Sequence, residues 1–135
     1  WSPPHAGDNA VATAFRHHQT WDRGFGASVG VNAVHRLSQL LQERGYSVQM
    51  EDADWAIPAS AREMVTAMVD GTAHAAEEAA VSAGVDPDAV AAWAVDRRAR
   101  IGSLALMIGH KDLLALPPVQ ARSVTPRDPS AESTD

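Results

Sequence analysis

The chain has 135 residues, 45% of them hydrophobic, enough for a single domain with one core. Its formal net charge of −6 leaves no basic field to draw in a phosphate backbone, so nucleic acid is not expected as a ligand. The absence of cysteine excludes disulfides, thiolate nucleophiles and cysteine zinc sites, and no apolar run approaches the roughly twenty residues that span a bilayer, so a cytoplasmic protein with no membrane partner is expected.

The opening Trp1-Ser2-Pro3-Pro4 has neither the charged start nor the apolar run of a signal peptide. It suits the exit from a strand better than the start of a protein, which raises the expectation of more chain upstream. Asp8 is placed to cap a helix in which Val11, Phe15, His18 and Asp22 share one stripe, with Ala14 beside them. Gly24, Phe25 and Gly26 then end that helix in a loop, because glycine accepts positive φ or lets another group close to the backbone. A second helix over about 32 to 44 turns Val34, Leu37, Leu40 and Leu41 inward and stops at Gly45.

Tyr46, Val48 and Met50 alternate with Ser47 and Gln49, the pattern of a short strand with one covered face. The acidic stretch Glu51 to Asp54 reads as its solvated end. Ser60 and Glu63 have capping-box spacing ahead of Met64, Val65, Met68 and Val69, opening a long alanine-rich helix that runs toward Gly84, with Met64 and Met68 assigned to the core. Asp86 and Pro87 start another helix, since proline loses nothing at the first position; Val90, Trp93, Ala94 and Arg97 form its narrow buried stripe and Gly102 closes it. Ser103 to Ile108 and Leu113 to Leu116 are apolar runs that read as buried strand, parted by a polar break at His110, Lys111 and Asp112. From Pro117 the composition turns to Pro, Ser, Thr and single charges without period, so the domain is drawn over 1 to 118 and a disordered tail over 119 to 135.

The inventory is about four helices against two or three strands. Two strands are marginal by themselves in water, and Leu104 to Ile108 shows no alternation that would leave one face wet. The expected class is therefore α/β, with these strands at the margin of a larger sheet whose other members lie upstream of Trp1 or in another chain. A self-contained fold with helices wrapped around a hairpin is the alternative.

Five stretches, WSPPH from Trp1, AFRHHQTWDRGFG from Ala14, GYSVQMEDADW from Gly45, WAVDRRAR from Trp93 and GSLALMIGHKDLLALPP from Gly102, together resemble the C-terminal half of bacterial class I S-adenosylmethionine-dependent methyltransferases. In that group the matching stretches read like W-[ST]-P, F-N-x-H-Q-x-x-D-K-G-F-G, G-Y-x-V, S-x-W and V-G-H-x-D-L-L-A-L-P. The resemblance spans Trp1 to Pro118, Phe15 to Gly26 is its most specific part, and Arg16, His17 and Arg23 depart from the pattern. It implies a Rossmann-like, mostly parallel sheet of seven strands with an antiparallel strand at one edge. The Tyr46 and Ser103 strands would be the last two, the helix before Tyr46 the last flanking helix, and the helices between the strands an insertion. It also implies S-adenosylmethionine as cofactor and an N-terminal half of the same protein as partner, or a second copy joined through a strand edge. The family's glycine-rich turn after its first strand does not occur here, and Gly24 and Gly26 follow a helix rather than a strand, so the cofactor site is expected mostly outside this chain and the chain alone is expected to be inactive.

Methyl transfer from a sulfonium is an in-line displacement, so the protein supplies positioning, a dry pocket and a base for a protonated nucleophile. His18 and Asp22, four apart, can face one side, with Asp22 fixing the imidazole that takes the proton; an ordinary helix-end hydrogen bond is the structural alternative. Gln19 is a candidate to orient a polar substrate group, and Gly24, Phe25 and Gly26 to wall the substrate, against a solvated glutamine and a plain helix stop. Trp21 and Trp55 fit the edge of a core better than a ligand platform, and His110 fits a turn. No HxH, HxxxH or HExxH occurs, and His17 and His18 diverge by about a hundred degrees on a helix, so no metal site is expected. The acceptor is expected to be a small molecule. The competing function is a non-catalytic module that dimerises or completes a partner's sheet through its strand edge.

Overall fold

In the computed structural model, which describes residues 1 to 118, alanine sets how closely the helices meet. Val65, Val69, Ala73, Ala76 and Ala80 recur every three to four residues along and just past α3 (Arg62–Ala79), and all are fully buried. Against this stripe pack Val11 and Ala14 of α1 (Asp8–His18) and Val90, Trp93 and Ala94 of α4 (Pro87–Ala99). Each buried valine contributes about 1.5–3 kcal/mol, and the small alanines let Trp93 fill the space between helices.

The α4 stripe of Val90, Trp93, Ala94 and Arg97 is buried as the periodicity indicates, and Asp86 caps the helix by accepting from the Asp88 amide at 3.0 Å ahead of Pro87. Two other expected caps are not formed. Gly7 holds the cap position of α1, which puts Asp8 inside the first turn and frees its carboxylate for tertiary partners. Helix α3 starts at Arg62 behind Ala61, one residue later than a capping box on Ser60 requires, so Ser60 and Glu63 lose their reciprocal geometry. Helix α2 (Ala33–Gln42), entered through a 3-10 turn at Gly30–Asn32, buries only Ser38; Leu37, expected inward, is exposed.

The strands are β1 (Ser47–Asp52), β2 (Trp55–Ile57), β3 (Leu106–Ile108) and β4 (Lys111–Leu116). They form two antiparallel two-stranded sheets, β1 with β4 and β2 with β3. One register runs through both: Asp52 faces Lys111, and three residues further Trp55 faces Ile108. The acidic stretch closes β1, with Glu51 and Asp52 its last, exposed residues and Asp54 exposed just beyond, while Lys111 and Asp112 open β4 and His110 lies between β3 and β4. The interruption has a local cause. Ala53 N–H donates to His110 O at 2.9 Å, but the His110 amide donates to the Asp54 side chain at 3.0 Å instead of returning the ladder bond. Lys111 bonds to Asp52 across the strands.

Only one end of the ribbon is covered by the helical core, where Ile57 and Leu106 join the cluster between α1, α3 and α4. At the far end Val48, Leu113 and Ala115 are half-buried on the face that α2 contacts, whereas Leu114 and Leu116 on the opposite face are 54% and 52% exposed. Met107 is 64% exposed. The first apolar run is strand only from Leu106 and sends Leu104 and Leu106 into the core while Met107 stays outside; the second, Leu113 to Leu116, is strand as expected but not buried. Ser2 adds an antiparallel bridge to Ala105, the residue just ahead of β3. The chain is mixed α/β, with four α-helices and these two small sheets among the described residues. Among them no helix is long and apolar enough to cross a membrane, and the tail expected over 119 to 135 lies outside the described residues.

Candidate functional site

One face of α1 lines a cleft of about 540 Å³ between α1, α3 and β3. Asn9, Ala12, Arg16 and Gln19 fall on that face by helical spacing, while Val11 and Ala14 turn into the core. Met68 and Thr72 of α3 form the floor, and Trp1 and Met107 stand opposite.

The inner end of the cleft is braced by a charged cluster. Arg97 is fully buried and donates to both oxygens of Asp8, at 2.6 and 2.8 Å, and to Pro3 O at 2.8 Å. Trp93 Nε1 donates to Asp8 at 2.7 Å, and the guanidinium carbon lies 5.7 Å from the ring centres of both Trp1 and Trp93. Burial alone would raise the Asp8 pKa, but the hydrogen bonds from Arg97, Trp93 and the His5 amide, with the Arg97 charge, outweigh it and hold the carboxyl below its ordinary value. The cluster ties the first residues of the chain to α1 and α4. Arg97 Nε and Asp96 Oδ2 are left without hydrogen-bond partners; His5 Nε2 approaches Asp96 only to 3.8 Å, too far for a hydrogen bond.

The loop after α1 is built by Asp22. Its Oδ1 accepts from the amides of Gly24 at 2.7 Å and Gly26 at 2.9 Å, both glycines holding positive φ of 101° and 92°. This use of Asp22 corrects the expected His18 pairing, because past His18 the chain leaves the helix and the four-residue spacing no longer brings the two side chains together. Glu78 of α3 takes the place instead. His18 Nε2 lies 2.8 Å from Glu78 Oε2 and 2.7 Å from an Arg23 guanidinium nitrogen. One ring nitrogen serves one of these at a time: protonated it donates to Glu78, unprotonated it accepts from Arg23. The ring also leans on Trp21 at 4.8 Å, with Arg23 over the indole at 5.5 Å.

Of the other candidates, Gln19 reaches the cleft, while Phe25 is fully exposed and staples nothing. Trp55 does not cover a core edge; it is about half-exposed and stacks on His110 at 4.1 Å, beside the ribbon's interruption. Met64 is exposed and Met68 half-buried against the core. Sequence reasoning missed Glu78, which carries no local signal beyond His74 four residues earlier, itself 3.6 Å away. It also missed the Asp8 to Arg97 pair, separated by 89 residues. Among the described residues no three His, Asp or Glu side chains converge as metal ligands.

The family resemblance calls for S-adenosylmethionine, and the described residues do not fit it alone. The connection from β2 to α3, Pro58 to Ala61, contains no glycine. At the entry to α1, a Cβ on Gly7 would meet the His5 ring at 3.2 Å and Trp93 at 3.3 Å, so that turn is filled by the protein's own side chains. No family model, curated protein or solved structure matches this chain.

Proposed function

We propose that the chain is the C-terminal portion of a class I S-adenosylmethionine-dependent methyltransferase acting on a small molecule, with the ribbon as the last two strands of a wider Rossmann-like sheet. The observation that carries this is the ribbon's open edge. Because Ala53 and His110 are a hydrogen-bonded pair, the even-numbered residues from Leu106 to Leu116 point their amides and carbonyls toward β1 and β2. The odd-numbered ones, Met107 to Ala115, point theirs outward, and Ser2 makes both bonds to Ala105 in that row, at 2.8 and 2.9 Å. A further strand ending at Trp1 and Ser2 would run on along the same edge. Further support comes from α2 lying on one face of the ribbon and the helical core on the other, and from α3 and α4 lying between the two partner strands in sequence.

In this reading the cofactor supplies the methyl group and is held by residues outside the chain. Gln19 orients the acceptor in the cleft; His18, paired with Glu78 outside the cleft's lining, is the candidate base reached from the α1 end, where Asp22 shapes the Gly24 to Gly26 loop that carries Phe25. The cleft's size suits a small molecule. The test is binding of labelled S-adenosylmethionine and methyl transfer by the polypeptide that the uninterrupted reading frame encodes. Binding there and its absence from residues 1 to 135 alone are expected; no binding by either overturns the reading. His18→Ala at saturating cofactor should slow transfer by about 10²–10⁴-fold.

Met107 of β3 and Leu114 and Leu116 of β4, all exposed, favour one competing function: a non-catalytic module that completes a partner's sheet. Strand-edge association of the reading-frame product without cofactor binding would select it.

A further inference from the structure

We infer that the cleft beside α1 receives a small carboxylate with an apolar body, its charge held by Arg16 with Gln19 beside it. The walls at Trp1, Phe15, Met68 and Met107 are apolar and offer no partner to a strongly hydrated ligand. Two charged side chains line the cleft, and they differ. Asp8 is already committed to Arg97 and Trp93, so its charge is balanced within the protein. Arg16 forms no ion pair among the described residues, and its one hydrogen bond, to Thr13, is long at 3.5 Å. In a chain with net charge −6, an unpaired guanidinium at an apolar cleft favours an anion, and its planar fork matches a carboxylate. Gln19, one helical turn along on the same face, adds an amide donor.

Within the methyltransferase reading this ligand is the methyl acceptor. The binding itself needs no cofactor, so the two claims fail separately. The 135-residue protein, labelled with ¹⁵N, is titrated with 2-naphthoate, 2-naphthalenemethanol and 2-naphthylmethylammonium. Saturable amide shifts from Asn9 to Gln19 and Leu106 to Gly109 are expected, with the carboxylate bound about ten-fold more tightly than the neutral alcohol, the size of one charge-assisted hydrogen bond. Arg16 is exposed, so Arg16→Gln should keep the dispersed spectrum and abolish the preference, and Arg16→Glu should transfer it to the ammonium. Equal binding of carboxylate and alcohol, a preference that survives Arg16→Gln, or shifts confined to other surfaces would overturn the inference. Loss of cofactor binding by the reading-frame product would overturn only the transferase reading.

Discussion

Removing the Asp8 carboxylate should be among the most destabilising single changes on the polar side of this fold. Asp8→Ala leaves the Arg97 guanidinium with no exposure and with Pro3 O as its one remaining hydrogen-bond partner, while its Nε has none already. Stranding one member of a buried ion pair costs about 3–5 kcal/mol, and the orphaned Trp93 N–H adds about 1 kcal/mol. For 135 residues, with an unfolding entropy of about 2.1 cal/mol/K per residue, 3–5 kcal/mol lowers Tm by roughly 10–18 °C. Circular dichroism melts with urea titrations measure both. The double variant Asp8→Ala/Arg97→Met removes charge and countercharge together, and methionine fills much of the vacated volume, so it should be more stable than Asp8→Ala alone. A cost below about 1 kcal/mol for Asp8→Ala, or strict additivity in the double variant, would refute the role given to this pair.

The same pair sets an acid limit. The Asp8 pKa is lowered on folding, so its contribution is complete above about pH 4, the ordinary aspartate range, and is lost as pH falls through the depressed value; Tm of the natural protein should fall there more steeply than that of Asp8→Asn. Asp22→Ala removes the acceptor of two exposed loop amides. It should change global stability by less than about 1 kcal/mol while speeding hydrogen exchange at Gly24 and Gly26. Gly102→Ala puts a side chain at φ of 113° and forces the Arg62 guanidinium aside, for a loss of about 1–3 kcal/mol in urea titration.

Local rules made the helical half legible. Val90, Trp93, Ala94 and Arg97 recur at helical spacing, and Asp86-Pro87 is a cap that needs nothing beyond its neighbours. The strand half was legible in position but not in burial. A run such as Leu113 to Leu116 records that the chain favours a sheet, and not whether anything covers it, because the cover comes from other segments. The acidic stretch is the exposed strand end its composition indicates, but its partners were not legible: Asp52 is matched by Lys111, 59 residues away, and Asp54 by the His110 amide. In the candidate site Gln19 and the glycine loop could be read from spacing. The carboxylate for His18 could not, since His18 to Asp22 is a helical interval applied where the helix has ended.

The claim that the ribbon is the margin of a wider sheet is tested most directly by amide hydrogen exchange along residues 105 to 116. In the 135-residue chain, Met107, Lys111, Leu113 and Ala115 should exchange quickly while Leu106, Ile108 and Leu114 are protected, following the alternation of the ladder. In the product of the uninterrupted reading frame, the odd-numbered amides should become protected as well. Rapid exchange of the odd-numbered amides in that product would leave the edge open and contradict the account.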